Sequence, residues 1–362
     1  MKKVFALLLA IAMFAGCFVG CAKKDDRIVI NVYNWGQYIS EGDDGCMEVI
    51  AEFEKRYPNI RVNYVTFDSN ETMYAKMAGG GITVDVIIPS DYMLGRLIEE
   101  GMLLELNYDN IPNAQYVDDV FLENQKYDPE NKYTVPYSWG VVGIIYNSKY
   151  VDEADVTGWE LLWNEKYDDK ILMFDNSRDA FCITQCMLGY DINTQDPNEL
   201  LHCAQELAKQ RPIVQQYIMD QVFDMMEIEE SWIAPYYAGD YLTMAAENEH
   251  LTFYLPEEGY NAFIDAMCIP TCAQNKEAAE LFINFLCDPE IAGGNMDWIC
   301  YGTPISAALE YMDPETVNDP SYPTTDLWAA GYVYTSLPKT TTRLMEELFM
   351  QVRNGIDIHL PD

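Results

Sequence analysis

The residues of this chain most able to do chemistry are aromatic rings and carboxylates, and several of them directly follow a predicted strand. Aromatic faces attract ammonium groups by about 0.5 to 2 kcal/mol each. A carboxylate that accepts a charged N–H bond adds about 1.5 to 3 kcal/mol. Rings along a methylene chain, with acids near its ammonium ends, predict a site for a linear polyamine. The candidate rings are Trp35, Tyr38, Tyr92, Tyr237, Phe263 and Tyr301, the candidate carboxylates are Asp179 and Asp265, and Ser90 follows a predicted strand in the same way.

The sequence lacks the patterns of common catalytic and metal sites. The glycine-rich stretch "AGGGIT" (78–83) has neither the lysine nor the spacing of a phosphate-binding loop. No histidine neighbours a candidate serine or cysteine nucleophile. Cys182 and Cys186 lie four residues apart, but the chain has 3 histidines and no CxxC pair. The sequence therefore predicts a binding protein without cofactor or metal, and not an enzyme.

Acidic residues dominate the charge of the 362-residue chain, with a formal net charge of −37 at pH 7. Such a field repels nucleic acid and anionic lipid, so a nucleic-acid partner is disfavoured and none is predicted. It attracts cations, but the same acidity also serves general solubility. Charge alone therefore supports a cationic ligand only weakly.

The N-terminus has the pattern of an export signal, in which two lysines precede an apolar run that ends in small residues and cysteine. We predict a signal peptide over 1–20, and a lipidated cysteine with its tether over 21–27. The stretch "FVGC" resembles a lipobox with Cys21 as the acylated residue. Cleavage at Cys17 and ordinary secretion without a lipid are the alternatives. The protein is then exported, either anchored to the outer face of the cell membrane or in the periplasm.

Strand-like and helix-like segments alternate along the remaining residues, which are more than one hydrophobic core usually serves. This pattern predicts an α/β fold of two lobes, each a mainly parallel sheet flanked by helices. Two long extended segments, 133–147 and 262–270, are predicted to cross between the lobes. Ligands of open parallel sheets bind outside the carboxyl ends of the strands, which is where several candidate residues fall.

Further predictions concern structural residues. Asp68 is predicted to cap a helix with Glu71 as its capping-box partner, and Asn275 to cap a later helix. Most of the eight cysteines beyond Cys21 are predicted to be reduced core residues, with a disulfide framework as the alternative. Four tryptophans are assigned to the core or to packing between lobes: Trp139, Trp159, Trp163 and Trp298.

A family resemblance extends from about Ile28 to about Gly355. Its motifs are "YNWGQYI", "SNETMYAKM", "VDVIIPSDYM", "YTVPYSWGVVGIIYN", "LLWNEKYDDKILMFDNSRDAF", "IDAMCIP" and "ICYGTPISAA". Each motif is modest alone, but their number and order are specific. On these motifs the sequence resembles the spermidine/putrescine-binding proteins of bacterial polyamine ABC transporters.

The resemblance implies a class II periplasmic-binding-protein fold whose lobes close on the ligand. It implies a lobe of residues 28–138 plus 265–308 and a second lobe of 139–264 plus 309–362. The implied partners are a polyamine, an ABC permease and its ATPase. The protein is predicted to be a monomer that contacts the membrane only through its lipid.

The resemblance also adds Asn176 to the ligand-binding candidates and shows departures from the family pattern. Asn176 stands where the family has an acid, and Tyr237 and Phe263 stand where it often has tryptophan. Asp240 stands where a serine is expected, and it either compensates for the lost acid or caps a helix. These departures imply a different polyamine preference or weaker binding.

Two alternatives remain on the sequence alone. Tyr236 and Tyr237 form an adjacent pair of the kind that ferric-ion-binding relatives use as phenolate ligands. A sensor or adhesin that keeps the polyamine site but lacks the transporter is the second alternative.

Overall fold

The structure is a computed structural model that describes residues 25–42, 45–123 and 125–360. The predicted signal peptide, Cys17 and Cys21 lie outside the described residues. Within those ranges, none of the helices combines the length and the apolar character needed to cross a bilayer.

Nine strands in the described part of the chain form one sheet, in the order β2-β1-β3-β9-β4-β7-β5-β6, with β8 paired to β4. The first three strands are mutually parallel, and so are β5, β6 and β7. The strands are β1 (Ile28–Trp35), β2 (Ile60–Phe67), β3 (Val86–Ile87), β4 (Thr134–Asn147), β5 (Ile171–Phe174), β6 (Val214–Ile218), β7 (Ile233–Tyr237), β8 (Leu251–Tyr254) and β9 (Ala262–Cys268).

The two predicted extended crossings are the strands β4 and β9. The N-terminal part of β4 pairs antiparallel with β9, which pairs with β3, whereas its C-terminal part pairs with β7 and β8. All residues of β4 and β9 are buried. A continuous apolar run is typical of strands covered on both faces. The first lobe is therefore built on β1 to β3 and the second on β5 to β8, while β4 and β9 join them.

Helices cover both sides of this sheet. Those of the described residues are α1 (Val49–Arg56), α2 (Asn70–Ala78), α3 (Asp91–Glu99), α4 (Asp119–Glu123), α5 (Ser177–Leu188), α6 (Pro197–Gln210), α7 (Val222–Glu227), α8 (Ala238–Glu247), α9 (Lys276–Leu286), α10 (Pro289–Ile299), α11 (Pro314–Val317), α12 (Thr325–Ala330) and α13 (Lys339–Asn354). Helices α2, α3 and α5 each begin soon after a strand of the parallel sets. Their N-terminal turns consequently lie at the edge where the strands end.

The first strand extends to Trp35, because it stays in parallel register with β2 up to Phe67. Strand β6 was not predicted, since only its last residue is buried and it shows no apolar alternation.

The predicted capping box is wrong. Ser69 is the N-cap of α2, and its hydroxyl accepts a hydrogen bond from the Thr72 backbone N–H at 3.2 Å. The Glu71 carboxylate instead accepts a bond from the Tyr92 hydroxyl at 3.0 Å. Asn275 occupies the N-cap position of α9, but its side chain donates to the Val29 carbonyl rather than capping the helix.

The core contains the tryptophans assigned to it. Trp139 and Trp159 are fully buried, and Trp163 and Trp298 pack against the core from partly buried positions. The seven cysteines from Cys182 to Cys300 have free thiols. The lobe boundaries given above stay a prediction.

Candidate functional site

A cavity of about 110 Å³ lies between the two lobes, beyond the carboxyl ends of the parallel strands. All ten residues predicted to contact a ligand line it. The first lobe and β9 provide Trp35, Tyr38, Ser90, Tyr92, Phe263 and Asp265, the second lobe provides Asn176, Asp179 and Tyr237, and the segment after α10 provides Tyr301. The structure thus brings the whole predicted set together, and its role in binding stays a prediction.

The end of β1 and the segment that follows it present Trp35 and Tyr38 to the cavity. The buried Asn34 side chain accepts from the Trp35 N–H at 2.9 Å and donates to the Tyr38 carbonyl at 3.1 Å. Gln37 turns the chain with φ of 52°, in the left-handed region that non-glycine residues seldom occupy. This turn keeps Tyr38 only 5% exposed while its ring still lines the cavity.

Asp265 is the deeper of the two predicted anionic anchors, being 3% exposed. Its Oδ2 atom accepts a hydrogen bond from the Tyr38 hydroxyl at 2.7 Å, while its Oδ1 atom is buried without a partner among the described residues. Burial raises the pKa of Asp265 to about 6, while the Tyr38 hydrogen bond and the nearby Ser90 side chain oppose the rise. A buried acceptor without a donor is costly, so this oxygen is prepared for a donor from a ligand.

Asp179 lies in the first turn of α5, where the helix N-terminus favours an anion. Its two oxygens accept bonds from the hydroxyls of Tyr237, at 2.9 Å, and Tyr334, at 3.1 Å. Burial raises the pKa of Asp179 to about 6, and these phenol bonds lower it. Both anchors are therefore held at carboxylate pKa values close to neutrality.

Asn176 performs a structural task at the rim of the same cavity. It is the N-cap of α5, and its Oδ1 atom accepts from the Arg178 backbone N–H at 2.8 Å. An acid at this position would cap the helix equally well. Compared with an acid at this position, Asn176 therefore still caps α5 but places no negative charge at the cavity.

The rings are packed against one another along the cavity wall. Tyr38 contacts Tyr301 edge to face, with centroids 5.0 Å apart, and Phe263 lies 5.3 Å from Tyr237 and 6.1 Å from Tyr301. Gly239 permits this packing, because a Cβ there would lie 2.3 Å from the Tyr301 ring. Ring faces rigidly held in this way provide an apolar track for a methylene chain.

Several lining residues were not predicted. Asp68 and Asp220 follow β2 and β6 from opposite lobes, and burial together with the charge of Asp68 raises the pKa of Asp220. The same strand-end rule applied to β2 would have found Asp68, whereas Asp220 follows the strand that the sequence did not reveal. Tyr334 lies in an irregular segment without a pattern of its own.

Asp240 was foreseen as either a compensating acid or a helix cap, and the cap is wrong. Tyr237 is the N-cap of α8, and Asp240 lies three residues later in the first turn of the helix, where it lines the cavity. Burial raises its pKa to about 7, while a bond from Tyr301 opposes the rise and the charge of Asp220 adds to it. Asp240 thus adds a further acid with a raised pKa to the cavity wall.

The surroundings of the tyrosine pair disfavour the phenolate form. Burial raises the pKa of both Tyr236 and Tyr237 well above that of a free phenol, and nearby carboxylates raise it further. Phenolate formation is therefore disfavoured. No group of three or more histidine, cysteine, aspartate or glutamate side chains is suited to hold a metal ion within the described part of the chain.

Two lobes joined by crossing strands, with a ring-lined and acid-bearing cavity between them, define a solute-binding protein. Residues 48–324, more than half of the chain, match the family model of bacterial extracellular solute-binding proteins. The chain belongs to this family and is an exported protein. The spermidine/putrescine-binding periplasmic protein of Salmonella typhimurium is 31% identical over 357 residues, covering 98% of this chain and 100% of the relative.

Solved structures agree with this assignment. The substrate-binding protein PotD of a spermidine/putrescine ABC transporter from Streptococcus pneumoniae is 34% identical with a TM-score of 0.76, covering 91% of this chain and 99% of that one. The TpPotD lipoprotein of Treponema pallidum is 26% identical with a TM-score of 0.80, covering 90% and 99%. The predicted family and the predicted two-lobed fold are confirmed. Such proteins bind solutes rather than transform them, which also confirms the prediction that the chain is not an enzyme.

Proposed function

We propose that this protein captures spermidine, putrescine or both outside the membrane and delivers the polyamine to an ABC importer. The observation that carries the proposal is the Oδ1 atom of Asp265, which is buried without a hydrogen-bond partner among the described residues in a cavity lined by rings and further acids. A primary ammonium group supplies the missing donor and the compensating charge at once. The names of the relatives support the same class of ligand.

The chain binds one ammonium end of the ligand at Asp265 and another toward Asp179, with Asp240 available to a further amine. The methylene segments lie against Trp35, Tyr38 and neighbouring rings. Closure of the lobes removes water from the amines and strengthens each ion contact in the lower local dielectric. The permease then distinguishes the closed protein from the open one.

Calorimetric titration of the lipid-free protein with putrescine, cadaverine, spermidine and spermine tests this function. We expect one-to-one exothermic binding of at least one of them, weakened by salt but less than an exposed ion pair would be. Ferric ion and an uncharged sugar serve as comparison ligands. Binding of either comparison ligand, with no response to any of the four amines, would refute the proposal.

Delivery to an importer is tested separately from binding. Deletion of the gene is expected to reduce cellular uptake of radiolabelled polyamine, and the wild-type gene to restore it. Unchanged uptake by the deletion strain, together with polyamine binding by the purified protein, would instead support a sensor.

We also propose that Cys21 carries a lipid that anchors the protein to the outer face of the cell membrane. The lipobox-like "FVGC" supports this, and a structural relative is itself named a lipoprotein. Cys21→Ser is expected to release the protein from the membrane fraction and to abolish incorporation of labelled fatty acid. Cys17→Ser is the matched control and is expected to keep both. The reverse result would assign the lipid to Cys17, and a wild-type protein that is absent from the membrane fraction and carries no labelled fatty acid would mean that there is no anchor.

A further inference from the structure

Arg178 carries a buried positive charge beside a cavity proposed to bind cations. It is 7% exposed and directly precedes Asp179. Its Nη2 atom donates to the neutral oxygens of Asn193, at 2.7 Å, and of the Thr335 backbone, at 3.2 Å. Its Nε atom is buried and has no partner among the described residues. Charged side chains are rarely buried without close compensation, so this placement calls for a reason.

Aromatic faces supply part of the compensation, and they come from both sides of the cleft. The guanidinium carbon lies 4.5 Å from the ring centroid of Tyr334 and 5.9 Å from that of Tyr92. The two rings meet edge to face, with centroids 6.0 Å apart. Tyr92 belongs to α3 of the first lobe, whereas Arg178 belongs to α5 of the second. We call Tyr92, Arg178 and Tyr334 the cross-cleft stack.

The cross-cleft stack is connected to the anionic anchor Asp179. The Tyr334 hydroxyl donates to Asp179 at 3.1 Å and lies 3.2 Å from the Arg178 carbonyl oxygen. The positive charge of Arg178 lowers the pKa of Asp179, against the rise caused by burial. Arg178 therefore acts on the anchor through its charge and through the ring that holds the carboxylate.

We propose that Arg178 is a positioning residue for polyamine binding: through the cross-cleft stack it holds the lobes closed and keeps Asp179 correctly placed. The inference rests on the proposed function. It is not obvious from charge alone, since a cation next to a polyamine should repel the ligand. Simple repulsion predicts that removal of Arg178 tightens binding, whereas the cross-cleft stack predicts that removal weakens it.

The pH dependence of polyamine binding is also expected to differ between the wild type and a variant that lacks the charge of Arg178. The groups that act on Asp179 are Glu71 of α2, Tyr92 of α3, Tyr236 and Tyr237 of β7, Tyr334, and Arg178 itself. Amine binding needs the ionised form of Asp179, so it is lost as pH falls through the pKa of that carboxyl. Without the positive charge of Arg178 this pKa rises, and binding is lost at a higher pH.

The test compares Arg178→Met, Arg178→Lys and the wild type by calorimetry with spermidine from pH 5 to 8. Arg178→Met is expected to weaken binding about 10-fold and to move the acid limb of the profile upward. Arg178→Lys keeps the charge but not the planar fork, so it is expected to weaken binding while the acid limb stays near that of the wild type. If the role of Arg178 were purely structural, both variants would bind more weakly, and the acid limbs of their pH profiles would not differ from each other.

Arg96→Met is the matched control. Arg96 also lies over a tyrosine ring, with its guanidinium carbon 3.6 Å from the Tyr74 centroid, but both residues belong to the first lobe. The control removes the same charge without touching the cross-cleft stack, so spermidine affinity is expected to stay within about 2-fold of the wild type.

If Arg178→Met does not fold, Tyr92→Leu tests the cross-cleft stack from the other lobe. Small-angle scattering of this variant at saturating spermidine is then expected to show a larger radius of gyration than the wild type. Arg178→Met that binds as tightly as the wild type or more tightly overturns the inference, and so does an unchanged radius in Tyr92→Leu. Failure of the wild type to bind any polyamine would instead count against the proposed function.

Discussion

The two anionic ends of the cavity differ in how fully their carboxylates are already bonded. Asp265 and Asp179 are both buried, and burial raises the pKa of each to about 6. Both oxygens of Asp179 accept bonds from tyrosines, whereas one oxygen of Asp265 has no partner within the described residues. Similar pKa values thus accompany different hydrogen bonding. Burial determines the pKa of each acid. The binding free energy that an ammonium group gains there is expected to depend instead on how many acceptor positions of the carboxylate are still vacant.

The largest expected effect is at the end with the vacant acceptor. Asp265→Asn removes the charge while keeping the shape, and we expect polyamine affinity to fall about 100-fold, because a charge-assisted bond contributes about 1.5 to 3 kcal/mol. Calorimetry with the preferred polyamine measures this loss. The melting temperature of the ligand-free variant is expected to equal or exceed that of the wild type, since an uncompensated buried charge is removed. A smaller loss than for the corresponding change at Asp179 would reverse the comparison.

Asp179→Asn is expected to have the second largest effect, a loss of about 10-fold in affinity. An ammonium group at this end must share or displace the phenol bonds from Tyr237 and Tyr334, so its net gain is smaller. The same calorimetric titration measures the loss. Equal losses in the two asparagine variants would show that vacant acceptors do not decide the energetics.

Acidification is expected to move ligand affinity and ligand-free stability in opposite directions. The folded-state pKa of each anchor is about 6, above the value of 3.8 for a free aspartate, so the folded protein takes up protons before the unfolded chain does. These two groups therefore add stability as pH falls from about 7 toward 4, while polyamine binding weakens as pH falls through about 6. Melting scans and titrations across this range measure both trends.

The Asp265→Asn variant isolates one anchor in the pH experiment. Its gain in melting temperature on acidification is expected to be smaller than that of the wild type, because one of the proton-binding groups is gone. A gain identical to that of the wild type would mean that Asp265 does not titrate in this range.

The smallest expected effect is a gain. Asn176→Asp restores a negative charge at the rim, and we expect polyamine affinity to rise about 3-fold, since one oxygen remains engaged in capping α5. Calorimetry measures the change, and the melting temperature serves as the control because aspartate is an equally good cap. Weaker binding by this variant would show that the rim does not contact an amine.

The sequence predicted the cavity better than it predicted its surroundings, for physical reasons. Apolar strands followed by rings and acids obey the strand-end rule, so residues such as Trp35 and Asp265 fall together once the strands pair. Asp220 was not predicted because it follows β6, a strand that is buried only at its last residue and lacks alternation of apolar and polar residues. Tyr334 was not predicted as a cavity residue because it lies in an irregular segment, which has no hydrophobic periodicity.

Capping errors had a different cause. Asp68 and Ser69 are both acceptable N-cap residues, and the choice between them depends on where the helix joins β2 rather than on local preference. Glu71 then becomes free to bond Tyr92 from the neighbouring helix α3. Contacts of this tertiary kind are not encoded in residue spacing.

The 14-residue strand β4 belongs to the sheets of both lobes, because its N-terminal part pairs with β9 and its C-terminal part pairs with β7. The two lobes are therefore not independent folding units. A lobe expressed alone would therefore have an unpaired edge strand, and unpaired edge strands promote aggregation. Chimeras that exchange lobes between relatives must splice within β4 and β9 together, and the protein is expected to melt as one unit rather than in two stages.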